Sequence, residues 1–164
     1  MNADAAERTA WRDVPRLGKV LLLSTSAGRR AWAAGALAAA GHVSAYAYLR
    51  RALWDPDERV RQSVVAAVGV LGVAQCAGEL AAVYAWSGPR VRREVLRVVA
   101  RMAARVDFAG LLVLAACDTD REVRTLAARA ARSADSGAAR RVLSKESAFE
   151  RGRAREAGLF QRRA

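Results

Sequence analysis

Apolar residues recur along this chain at helical spacing, and the spacing itself recurs. Three, seven and ten residues after Arg30, Arg61, Arg92 and Arg124 stand Ala33, Leu37, Ala40; Val64, Val68, Leu71; Val95, Val99, Met102; and Ala127, Ala131, Ala134. Each set makes one stripe on a helix. The four arginines are 31, 31 and 32 residues apart, and Arg155 lies 31 beyond Arg124. Leu49, Leu80, Leu112 and Leu143 stand twelve residues before Arg61, Arg92, Arg124 and Arg155, marking a second helix ahead of each stripe. The pattern predicts first helices over 44–53, 76–86, 107–116 and 137–146. It predicts second helices over 29–40, 58–71, 90–104 and 121–133.

Boundary residues fit two helices per unit. Asp55 is placed to cap the helix carrying Arg61, with Pro56 at its first position and Glu58 completing a capping box. Gly88 and Pro89 take that place one residue shorter, and Thr119 with Glu122 repeats the box. Gly41 and Gly72 follow their stripes, where a left-handed residue ends a helix. A pair of short helices cannot bury its apolar face alone, whereas stacked copies can, and the stack is a solenoid.

The period is shorter than the roughly 34 residues of tetratricopeptide repeats, and the ankyrin TPLH is missing. The segments "DPDERVR", "PRVRREV" and "DTDREVR" resemble the HEAT-like repeat in the short form of the phycobilin lyases. The resemblance covers about residues 28–150, leaving 1–27 as an N-terminal cap segment and 151–164 as a basic C-terminal cap or tail. It implies an all-α solenoid of four to five hairpins, right-handed in stacking, with the second helices on the concave face. It also implies that Arg61, Arg92 and Arg124 reach turn aspartates of adjoining units, Asp55 and Asp118 among them. Two units depart from the pattern. Arg29 stands where the first unit should carry Val, and "RGRAREAGLFQRRA" keeps Arg155 but loses the stripe.

Composition agrees with helices. Ala supplies 39 of the 164 residues, which favours closely packed helices over a sheet. The net charge of +12 is uneven: residues 1–82 hold 10 basic and 7 acidic side chains, residues 83–164 hold 18 and 9. An anionic partner for the second half would explain this. A coding bias toward Arg and Ala would explain it too, since 26 of the 28 basic residues are Arg. Position therefore says more than totals.

Arg93, Arg97, Arg101 and Arg105 recur every fourth residue and form one row on the third unit's second helix. Like charges at that spacing repel by about 0.2–0.5 kcal/mol per pair, and Glu94 offers partial relief. Arg129 repeats the place of Arg97, while the second unit carries Gln62, Ala66 and Val70 on this row. The resemblance would turn the row into the concave groove. Arg93, Arg97, Arg101, Arg105 and Arg129 are thus the candidate partner-binding residues. The tail from Arg140 adds 8 basic and 3 acidic residues.

The chemistry of an active site is thin. The one histidine, His42, falls in a turn, and no metal-ligand spacing, nucleophile elbow or phosphate loop occurs. No cofactor or small-molecule substrate is indicated. Cys76 and Cys117 lie in apolar runs without a CxxC, as buried free thiols of a reducing cytoplasm would. The N-terminus lacks the apolar core of a signal peptide. Residues 31–49 are uncharged but broken by Gly35, Gly41, His42 and Ser44, which argues against a membrane span. Trp54 and Trp86 occupy equivalent helix ends, a packing signature.

The expectation is a non-enzymatic scaffold whose basic surface holds an acidic protein. The alternative is a DNA- or RNA-binding protein using the same arginines and the tail. A third reading follows from resemblance to the HEAT-like alkylpurine DNA glycosylases, with Trp54, Asp55 and Arg92 in the lesion-contacting roles.

Overall fold

Short turns separate the apolar stripes, and each stripe winds into one helix. The computed structural model describes residues 3–134, with side chains from residue 12 onward. Among these residues the chain is all-helical, without strands. The first helices are α1 (Ala3–Leu23), α3 (Ala45–Ala52), α5 (Ala77–Trp86) and α7 (Ala109–Ala115). The second helices are α2 (Ala27–Ala40), α4 (Glu58–Leu71), α6 (Pro89–Met102) and α8 (Arg121–Ser133). A single 3-10 turn, Ala74–Cys76, leads into α5. Every described boundary from α2 onward falls within two residues of its sequence expectation. The helix expected at 137–146, Arg155 and the basic tail lie outside the described residues.

The second helices pack in chain order, α2 on α4, α4 on α6 and α6 on α8. Each touches the first helix of its own pair, and α1 packs on both α2 and α3. The stripes face inward: Leu37, Val64, Val68, Val95, Val99, Ala127 and Ala131 are fully buried. Leu49, Leu80 and Leu112 of the first helices join them in one cluster running from Val14 to Ala131. Eight such Leu and Val side chains, at about 1.5–3 kcal/mol of burial each, outweigh any propensity term in fixing these helices.

Helix ends follow the residues that can close them. Gly41 and Gly72 end α2 and α4 with φ of 67° and 63°, the left-handed conformation that favours glycine. Gly88 precedes α6, with Pro89 at its first position. Close helix contact depends on two other glycines. A Cβ on Gly69 of α4 would stand 2.6 Å from Val98 Cγ2 of α6, and one on Gly18 of α1 would stand 2.3 Å from the Tyr48 ring of α3. No helix among the described residues is long and apolar enough to cross a membrane.

Candidate functional site

The turns between paired helices are built by arginine. In three of them the repeated Arg folds back onto the carbonyls six and five residues earlier. Arg30 Nη1 donates to Ser24 O at 2.9 Å and Thr25 O at 3.3 Å. Arg61 Nη1 donates to Asp55 O and Pro56 O at 2.7 and 2.9 Å. Arg124 Nη1 donates to Asp118 O and Thr119 O at 2.7 and 3.0 Å. Carbonyls of the turn, beyond the last residue of the preceding helix, thereby gain hydrogen-bond partners.

The caps differ from the sequence expectation. Asp57, not Asp55, caps α4, accepting from the N–H groups of Arg59 and Val60. Asp120, not Thr119, caps α8, accepting from Glu122 and Val123. Asp55 and Asp118 instead accept from the backbone N–H two residues on, at 2.9 and 2.8 Å. Their remaining oxygen lone pairs face the neighbouring unit. Asp55 takes two bonds from Arg30, and that contact holds the guanidinium's pKa above its ordinary value. Asp118 accepts a short hydrogen bond from Tyr84 and lies 3.4 Å from Arg92 Nε, an ion pair without hydrogen-bond geometry. Burial, then the carboxylate, raises the Tyr84 pKa, so the phenol keeps its proton.

The inter-unit role expected of the arginines is thus divided. Arg92 reaches the next turn's aspartate, as Arg30 does. Ser87 stands where Asp55 and Asp118 stand, and its buried hydroxyl has no partner among the described residues. Arg61 meets the next unit through an aromatic ring instead, with its guanidinium 4.7 Å from the Trp86 centroid. Trp86 in turn stacks on Trp54 at 5.6 Å and 10° between planes. Arg124 is held by its own turn. Trp54, Asp55 and Arg92 are each engaged within the stack: Asp55 with Arg30, Arg92 with Asp118, and Trp54 with Trp86.

Along the arginine row, the first two members are engaged. Arg93 pairs with Asp120 at 2.8 Å and Glu122 at 3.1 Å across the α6–α8 contact. The pairing raises the Arg93 pKa and lowers that of Asp120. Arg97 pairs with Glu94 at 2.9 Å and with Glu122 at 3.6 Å. Arg101, Arg105 and Arg129 are exposed and form no ion pair among the described residues. The part of the row open to an external anion is therefore Arg101, near the end of α6, and Arg105, which lies beyond Met102 in the turn after α6 rather than on the helix the spacing predicted for it.

Sequence reasoning missed a different cluster, at the start of α2. Lys19 of α1, Arg29 and Trp32 line one open cavity there with Leu23 and Thr25. The only sequence signal was an aromatic residue beside the first repeated Arg. No family model matches the sequence, and no curated protein matches it.

Proposed function

We propose that this chain is a non-enzymatic α-solenoid of HEAT-like hairpins that serves as a scaffold for an acidic protein partner. The packing of α2, α4, α6 and α8 in chain order supports the stacked-repeat reading. On this reading the second helices line the concave face, with Arg97 and Arg101 on α6 and Arg129 on α8 turned toward one groove and Arg105 at its edge in the turn after α6. The observation that carries the partner's chemistry is the state of the charges. Glu94, Asp120 and Glu122 are committed to Arg93 and Arg97, while Arg101, Arg105 and Arg129 have no acid of their own among the described residues. Exposed guanidinium groups are forked donors suited to carboxylates. Free thiols at Cys76 and Cys117 support a cytoplasmic setting.

The test compares the native chain with an Arg101→Glu, Arg105→Glu, Arg129→Glu variant. We expect a partner retained by the native chain after nuclease treatment and lost by the variant. Labelled 20-mer DNA, single- and double-stranded, followed by anisotropy across a salt series, is the counter-test. Affinity tighter than the roughly 1–100 μM of non-specific binding, with a salt slope flattened in the variant, would replace the acidic protein by nucleic acid.

A further inference from the structure

The turn from α1 into α2 borders a wide-open surface hollow of about 660 Å³. That volume lies within the range of small-ligand sites, about 300–1,000 Å³. Lys19, Leu23, Thr25, Arg29 and Trp32 form its walls, and no carboxylate lines it among the described residues. Neither Lys19 nor Arg29 forms an ion pair among the described residues, and both are exposed. Arg29 sits in the first turn of α2, where no acid accompanies it. A cation there opposes the helix dipole, so the helix itself gives no reason for it.

Trp32 supplies the second half of the chemistry. The indole is 64% exposed and Leu23 is 76% exposed, so a flat apolar surface lies open beside two cations. Trp32 also has glycine one turn before and one turn after it. A side chain at Gly35 would meet nothing within 4 Å, and one at Gly28 only Ser26 Oγ at 3.7 Å. Neither glycine is required by packing, and both leave the ring uncovered. The site is thus a stacking platform with a positive rim.

We infer that this cavity binds a nucleotide unit: the base stacks on Trp32 and the phosphate is held by Lys19 and Arg29. Stacking on an indole is tolerant of base identity because every base presents a π-face. The same unit can come from a free nucleotide or from a single-stranded nucleic acid. The cavity lies on α1 and α2, apart from the arginine row on α6 and α8.

Fluorescence anisotropy with a fluorescent-tagged ATP and with labelled oligothymidylates of 3 and 10 nucleotides, roughly the range bridging one site, tests this on the full chain. We expect one of these probes to bind at low salt, and at least tenfold weaker binding in Trp32→Ala and in Lys19→Ala with Arg29→Ala. Gly35→Leu should also weaken it by covering the ring, while raising helix propensity. Arg101→Glu with Arg105→Glu should leave it unchanged, which separates this site from the proposed partner face. Saturation by the mononucleotide identifies a free ligand; affinity that grows with oligomer length identifies single strands. Binding that survives Trp32→Ala, binding to neither probe, or binding only to anionic vesicles would overturn the inference.

Discussion

Arg30 grips both carboxylate oxygens of Asp55, a residue of the next helical pair, through Nε at 2.7 Å and Nη2 at 2.9 Å. The same guanidinium also holds the carbonyls of its own turn. One side chain therefore closes a turn and joins two units. Asp55 is 9% exposed, so removing Arg30 strands a carboxylate with little access to water. Arg30→Ala should cost on the order of 3 kcal/mol in urea unfolding. Arg30→Lys should recover little of it, because an ammonium cannot fork. A double-mutant cycle with Asp55→Asn should return a coupling above about 1 kcal/mol.

Glycine in a helix interior normally gives way to alanine with a gain of up to about 1 kcal/mol. Gly69 should reverse that sign. Its Cβ would press on Val98 Cγ2 and the Arg101 guanidinium. Overpacking costs about 1–3 kcal/mol, which outweighs the propensity gain. Gly69→Ala should lower the thermal midpoint, while Gly35→Ala, in open space, should raise it.

Acid should act through Asp120. The Arg93 hydrogen bond, then the N–H of Val123, hold its pKa below the ordinary 3.8. The folded value lies below the unfolded one. Its contribution is complete above the unfolded value and is lost as pH falls through the folded value. Asp120→Asn, which keeps an oxygen for the cap, should lower the melting temperature at pH 7. It should also show a shallower acid limb and converge with the native curve at low pH. Parallel curves would mean that the Arg93 contact adds nothing.

The two thiols should behave differently. Cys117 is exposed, whereas burial pushes Cys76 up to about 11. A disulfide reagent at pH 8 should consume one equivalent quickly, and the second only in denaturant. Cys117→Ser should abolish the fast phase.

Periodicity reached the helices because each stripe is carried by local sequence and several ends by a nearby glycine, proline or aspartate. It misplaced the caps at "DPD" and "DTD" because Asp55 and Thr119 are residue types that can close a helix as Asp57 and Asp120 do. Asp55 is instead held by Arg30, which arrives from the preceding unit. The row from Arg93 to Arg105 was legible as spacing, but its partial neutralisation was not, since Glu122 reaches it only when α8 lies against α6. The Trp32 cavity escaped notice for the same reason. Its second cation, Lys19, comes from α1, a helix interrupted in pattern by Pro15 and by charges along its first half.

Trp54 and Trp86 belong to successive units, and their rings are stacked nearly parallel. Indoles held this way share their electronic transitions and give a paired band in circular dichroism. Separating the second and third units by a few ångströms would erase that band. The chain thus carries its own optical gauge of the joint where the aspartate rung is missing, readable without any label attached.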